Sequence, residues 1–444
     1  MFLMVRGAFW FGCYLLLVLF PLFLALALSP SASPHRSMAV ALSVAFGYMG
    51  LAIMALEFSI ISRVRPLADA FGEDALQQFH QQMGVVSLLF LAAHPLSLIM
   101  GKELPTLWLL SPLQPLPTNL RLGQLSLLTM LLLVFLALGR RSLKLSYGWW
   151  QLSHGLLALA AISTGLIHTL TMGFYATAPV MRLMLSGYLL FMLLLLAKYR
   201  LLRPLSMLRH PWQVVRLVAE KGNAHTLVLR PDGHGGFSFL PGQFVWLCTA
   251  NTPFGLEQHP ISISSSAANG PGDISLTIKG LGDWSSQEIP HLQIGKRVWV
   301  DGPHGIFSSD REQGMGYFFI AGGIGIAPIR SMLLTLADRN DRRPVTLIFG
   351  MKTPRECTFC HELEGLSGRL DLQLVYVAEQ PTVDWEGEAG IIGAELLRRH
   401  LPPYHELYQY FVCGPPPLMD SMEKVLPRLG VPRERIHTER FDLV

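Results

Sequence analysis

Residues 149–172 read WWQLSHGLLALAAISTGLIHTLTM, an apolar run broken by two histidines, His154 and His168, 14 positions apart. A helix rises 1.5 Å per residue, so about 20 apolar residues cross a hydrocarbon core of about 30 Å. Fourteen steps of about 100° fall only about 40° short of four turns, so both rings share one helix face, about 21 Å apart along the axis. Residues 78–101, QFHQQMGVVSLLFLAAHPLSLIMG, repeat the arrangement with His80 and His94. Ionisable groups are costly inside a bilayer. One intramembrane histidine is accounted for by an interhelical hydrogen bond; four in two equally spaced pairs point to ligand chemistry.

Outward from these runs, four more stretches are long and apolar enough to span: 7–28, 38–62, 122–139 and 178–198. The first carries Ala25-Leu26-Ala27, a small-x-small cleavage pattern. It is long for a signal peptide and only Arg6 precedes it, so it is read as a span. One set of loops holds Arg6, Arg63, Arg65, Arg140, Arg141, Lys144, Lys198, Arg200 and Arg203; the other holds Arg36, Lys102, Arg121 and Arg182. The richer set belongs on the cytoplasmic side, with the N-terminus and all that follows the last span. Spans three and five then run the same way. His80 levels with His154 on the inner side, and His94 with His168 on the outer side. Two facing imidazoles at one depth are the ligand set of a bis-histidine b-type haem, and two depths make a ladder of two haems. Zinc wants ligands that converge on one point. Glu57 sits inside span two near its cytoplasmic end and reads as an interfacial carboxylate, with a proton path as the alternative.

Beyond Arg203 the 444-residue chain reads as a soluble protein. Short strands at 213–219, 226–230, 244–249, 261–265, 274–279 and 297–300, parted by Gly/Pro turns, predict an antiparallel β-barrel. From Tyr317, strands alternate with helices, which predicts a doubly wound parallel α/β sheet. The turn Gly322-Gly323-Ile324-Gly325-Ile326-Ala327-Pro328 lies between a strand and a helix, the setting in which glycines and a helix N-terminus bind phosphate. The expected domains are 1–203 (six-helix transmembrane bundle), 204–308 (β-barrel) and 309–444 (α/β nucleotide-binding). A net charge of +4, its basic residues clustered at span ends, suits membrane topology rather than nucleic acid. Five cysteines form no disulfide framework.

His259-Pro260-Ile261-Ser262-Ile263-Ser264-Ser265 resembles the flavin-binding segment of ferredoxin-reductase-like domains. Pro241-Gly242-Gln243-Phe244, Lys279-Gly280-Leu281-Gly282-Asp283-Trp284-Ser285 and Gly302-Pro303-His304-Gly305 resemble its companion turns. Gly322–Pro328 and Cys413-Gly414-Pro415-Pro416 resemble its nicotinamide domain. Fused to six spans with paired histidines, the whole resembles the ferric reductase and NADPH oxidase superfamily. The resemblance implies roles. Ser262 hydrogen-bonds the isoalloxazine of FAD, with His259, Pro260 and Ile261 packed beside it. Lys279, Trp284 and Ser285 line the FAD pyrophosphate, where the family more often has Arg than Lys. Gly322, Gly323, Gly325 and Pro328 shape the NAD(P)H phosphate turn. Cys413 and Gly414 lie by the nicotinamide, and Phe441 stacks on the flavin. Lys352 and Arg355 suit a 2′-phosphate and equally suit plain surface, so NADPH is only slightly preferred over NADH. Cys357-Thr358-Phe359-Cys360-His361 matches the c-type haem attachment pattern, but the resemblance places an ordinary loop there.

The implied enzyme passes electrons from cytosolic NAD(P)H through FAD and two haems to an acceptor outside the cell membrane. O2 giving superoxide leads, because the outer loop 171–179 is apolar and uncharged. A ferric chelate and a periplasmic redox partner are the alternatives. A nucleotide-gated transporter leaves the histidines and the flavin segment without a role.

Overall fold

A computed structural model describes residues 2–28, 37–105, 117–140, 142–173, 176–255 and 257–440. The chain forms two compact units, Met1–Arg203 and Pro204–Val444.

Unit one is helical: α1 (Phe2–Ala27), α2 (Met38–Ile61), α3 (Arg65–Phe71), α4 (Glu73–Met100), α5 (Thr118–Gly139), α6 (Tyr147–Thr171) and α7 (Pro179–Ala197). Six of these are long and apolar enough to cross a membrane, and the chain is a multi-pass membrane protein. The expected spans are all present, within a few residues at each end. The short α3 was not expected; Pro66 in its first turn, where a missing N–H costs nothing, starts it. Ser37 caps α2 by accepting from the Val40 amide, and Pro179 opens α7. Side chains such as Leu16, Phe135 and Leu183 stay exposed on the helices, as lipid-facing positions do when every backbone group is bonded within its helix.

Small residues bring the helices together in pairs. A Cβ on Gly50 of α2 would meet Leu91 of α4 at 2.8 Å, and one on Gly165 of α6 would meet Ser126 of α5 at 2.8 Å. Ser87 Oγ of α4 donates to the Gly50 carbonyl of α2. Ser126 Oγ of α5 donates to the Ala161 carbonyl of α6. The α2–α4 and α5–α6 pairs thus repeat one packing, with the serine on opposite members.

Past α7 a π-helical turn, Lys198–Leu202, leads into α8 (Arg203–Arg209). The first half of unit two is an antiparallel sheet of β1 (Trp212–Glu220), β2 (Ala224–Pro231), β3 (Phe244–Cys248), β4 (His259–Ser262), β5 (Ile274–Lys279) and β6 (Arg297–His304). Its order is β4-β3-β6-β1-β2-β5. A bridge between Ile263, just past β4, and Leu276 of β5 joins the two edge strands and closes the barrel. Trp212, Leu227, Leu229, Val245, Leu247 and Val298 fill its interior.

The second half is a parallel sheet ordered β10-β9-β8-β7-β11-β12. Its elements run β7 (Tyr317–Gly322), α9 (Ile326–Asp338), β8 (Val345–Met351), α10 (Cys360–Leu366), β9 (Leu372–Ala378), β10 (Glu388–Ala389), α11 (Ala394–His400), β11 (Gln409–Cys413), α12 (Pro416–Arg428) and β12 (Ile436–Thr438). All six residues of β7 are buried, as expected of a central parallel strand covered by helices on both faces. The two- and three-residue edge strands β10 and β12 were not foreseen; neither is long enough to carry a period-2 pattern.

Candidate functional site

In unit one, α4 and α6 bring the four histidines together at two levels. The rings of His80 and His154 have centroids 6.1 Å apart, crossed at 68°. Those of His94 and His168 are 6.0 Å apart, crossed at 72°. A metal bonded to two imidazole nitrogens at about 2.0–2.1 Å each, with each ring centre about 1.1 Å further out, gives a separation of about 6 Å. Among the described residues the metal-binding side chains form no group of three or more.

Three of the four rings are oriented through Nδ1. His80 Nδ1 is 2.5 Å from Glu57 Oε2, and Tyr14 reaches the other carboxylate oxygen at 3.5 Å. His94 Nδ1 lies 2.8 Å from both the carbonyl and the hydroxyl oxygen of Ser43. His168 Nδ1 donates to the Asn119 carbonyl at 2.7 Å. His154 Nδ1 is buried with no hydrogen-bond partner, beside the Trp150 ring. With Nδ1 so engaged, Nε2 is the nitrogen available to a ligand. The His94 and His168 rings also need glycines behind them: a Cβ on Gly47 would stand 3.0 Å from His94, and one on Gly123 would stand 3.0 Å from His168. The sequence reading missed Ser43, Gly47, Asn119 and Gly123. Their signal was available, because Ser43 and Gly47 recur as Asn119 and Gly123, 76 positions on in both cases.

In unit two, Gly322 and Gly325 pack against the end of β11. A Cβ on Gly325 would lie 2.1 Å from the Cys413 carbonyl oxygen, and one on Gly414 would lie 3.0 Å from Gly322 backbone atoms. Gly323, at φ +52°, is different: among the described residues, Lys279 Nζ, 4.0 Å from where its Cβ would stand, is the one side-chain atom near it. The ammonium therefore faces an open glycine turn at the N-terminus of α9, an arrangement suited to anions. Lys279 also pairs with Glu356 at 3.1 Å. Pro328 is buried in the first turn of α9.

The barrel and α9 are locked together. Arg330 forms a bidentate pair with Glu362 and donates to the Ser264 carbonyl at 2.6 Å. Ser331 donates to the Ser265 carbonyl, and Thr335 accepts from the Ala267 amide. These contacts follow directly on His259–Ser262. On β4, Ser262 is buried, and Pro260 and Ile261 are half-buried. His259 stacks on Trp284 at 3.7 Å and 15°, and Trp284 donates to Thr249. Burial pushes the His259 ring down to about 4. The Ser285 hydroxyl is occupied within its own turn, accepting from the Leu281 and Gly282 amides at 3.0 Å.

Cys413 ends β11 fully enclosed; burial, then the Glu439 carboxylate, pushes its thiol well up. Lys352 and Arg355 are exposed just past β8. Cys357 and Cys360 lie side by side, their Cα atoms 5.7 Å apart, and Thr358 between them donates to the Lys221 carbonyl. Phe441 lies outside the described residues.

Residues 46–165 match the ferric reductase like transmembrane component, and residues 319–424 match the oxidoreductase NAD-binding domain. The chain is 30% identical over 240 residues to a glycine betaine monooxygenase reductase subunit of Chromohalobacter salexigens, covering 52% of this chain and 64% of that one. It is 26% identical over 237 residues to the reductase component of propane 2-monooxygenase of Rhodococcus jostii, covering 52% and 62%. The chain thus spans just under two thirds of the length of these curated relatives. A flavohemoglobin from Malassezia yamatoensis, solved with FAD and heme, shares the fold at TM-score 0.50 and 17% identity, over 91% of this chain and 99% of that one.

Six spans are joined to an antiparallel barrel and an oxidoreductase NAD-binding domain, the architecture of a membrane-embedded reductase. The fused architecture matches a ferric reductase like transmembrane component in the membrane half and an oxidoreductase NAD-binding domain in the other half.

Proposed function

We propose that the chain carries electrons from cytosolic NAD(P)H through FAD and two b-type haems to an acceptor outside the cell membrane, foremost O2, giving superoxide. The observation that carries this is the two imidazole pairs, 6.1 and 6.0 Å between centroids, at two depths on parallel helices. When bound, FAD accepts hydride and releases single electrons, and the haems relay them one at a time.

The chain's own residues hold and orient. His80 with His154, and His94 with His168, would take one haem per level through Nε2. Glu57, Ser43 and Asn119 fix three of these rings by accepting their Nδ1 protons. Lys279 supplies charge over the Gly323 turn for dinucleotide phosphates, and Ser285 keeps the neighbouring turn in shape. Along β4, His259, Pro260, Ile261 and Ser262 would border the isoalloxazine, with Trp284 closing on His259. Cys413 and Gly414 would border the nicotinamide; the closely packed Gly322, Gly325 and Gly414 backbones leave that approach narrow. Lys352 and Arg355 would meet a 2′-phosphate, and Phe441 would shield the flavin. Arg6, Arg63, Arg65, Arg140, Lys144, Lys198, Arg200 and Arg203 would keep their side of the spans cytoplasmic.

The uncharged outer loop 171–179 favours O2. The match of the membrane half to a ferric reductase component favours a ferric chelate as the second acceptor. Haem counting tests the proposal: the purified protein should hold two non-covalent haems, and His94→Ala or His168→Ala one. Histidine variants that keep full haem would refute the assignment.

A further inference from the structure

The two levels are built by repeated helix pairs, and the repeat breaks at one residue. On α2, Ser43 backs His94, and Glu57 backs His80, 14 positions further on. On α5, Asn119 backs His168, and the residue 14 positions further on is Leu133, a buried apolar side chain. Leu133 offers no acceptor, and the His154 Nδ1 atom has none. The outer level is therefore held by two neutral backbone carbonyls. At the level of His80 and His154, among the described residues, one carboxylate is bonded to a ring: Glu57, its side chain only 8% exposed, on His80.

We propose that Glu57 is a positioning residue that sets the direction of electron flow, by holding the inner haem at a lower potential than the outer one. The inference rests on the haem reading above. A carboxylate accepting the Nδ1 proton gives the imidazole anionic character and makes it a stronger donor to iron. Stronger donation, and a negative charge close by in a medium of low dielectric, stabilise ferric over ferrous iron. Carbonyl acceptors do this less. One electron leaving the ferrous inner haem, which becomes ferric, then reduces the ferric outer haem downhill. The electrons come from NAD(P)H by way of FAD. Tyr14 donates to the far oxygen of the same carboxylate and so draws part of its charge away from His80.

The test is an anaerobic potentiometric titration of the purified holoprotein, following each haem by its visible bands. Wild type should titrate in two one-electron steps. Glu57→Gln keeps the shape and removes the charge. It should raise the lower potential by tenfold or more in the haem's redox equilibrium, which is 59 mV for a one-electron couple, and leave the higher one in place. Tyr14→Phe should move the same step the other way. Both variants with full haem and unmoved potentials, or a shift confined to the higher step, would overturn the inference. If Glu57→Gln loses the inner haem, Tyr14→Phe decides: a downward shift supports the inference and no shift overturns it. Wild-type protein without haem would instead defeat the haem reading itself.

Discussion

Gly325→Ala should break the nucleotide site from within. The new Cβ would stand 2.1 Å from the Cys413 carbonyl oxygen, 2.4 Å from its carbon and 2.8 Å from the Gly414 nitrogen. All three are backbone atoms, so no flexible side chain can yield. The turn after β7 must separate from the end of β11. Overpacking costs about 1–3 kcal/mol, and a backbone-on-backbone clash belongs at about 3. At roughly 2–4 °C per kcal/mol for a unit of this size, Tm should fall by about 6–12 °C. Gly323→Ala is the control: its Cβ meets only Lys279 Nζ, at 4.0 Å, and the positive φ costs about 1–2 kcal/mol. It should melt closer to wild type while weakening nucleotide binding, because the cradle is filled. The assays are FAD release on heating and NAD(P)H-driven ferricyanide reduction by the full-length protein in detergent. Gly325→Ala with wild-type melting and a wild-type KM would refute the packing argument.

Gly47→Val and Gly123→Val should each disturb the histidine that packs on them, His94 and His168, and lower haem content to about one per chain while FAD stays bound; haem and flavin assays check this. Lys352→Ala with Arg355→Ala should raise KM for NADPH about tenfold, about 1.4 kcal/mol, and leave KM for NADH unchanged; equal effects on both would assign these residues to plain surface. Arg330→Ala loses its pair with Glu362 and its bond to the Ser264 carbonyl. It should destabilise unit two by about 2–3 kcal/mol, read as a lower FAD-release temperature, whereas an unchanged temperature would mean that α9 is not held to the barrel this way. Burial holds the His437 ring down to about 4, against 6.5 when free. The unfolded chain therefore takes up that proton first, and stability should fall as pH drops from about 6.5 to about 4, by at most about 1.4 kcal/mol per pH unit. His437→Gln should flatten the stability profile in that window; an unchanged profile would show that this ring does not titrate on unfolding.

The spans were legible because about 20 apolar residues in a row have one meaning. The 14-residue spacing carried the pairing of His80 with His154 and His94 with His168 for the same geometric reason. Glu57 was legible as a buried charge but not as the partner of His80. Which face of α2 meets α4 depends on close approaches at Gly47 and Gly50, which hydropathy does not encode. Motif reading put Lys279 and the glycine turn in different phosphate sites, and the fold brings them together. Their meeting follows from the dock between α9 and the barrel, built by Arg330, Ser331 and Thr335, and these side chains look unremarkable in one dimension. Ser285 matched a motif, yet its hydroxyl is spent on local amides.

The most direct measurement is an absorption spectrum of the purified protein, recorded in air and again after NADPH is added without oxygen. B-type haem bands should appear that NADPH reduces through FAD, and that re-oxidise with superoxide release when air is admitted. A protein with no haem spectrum despite ample haem supply would contradict this.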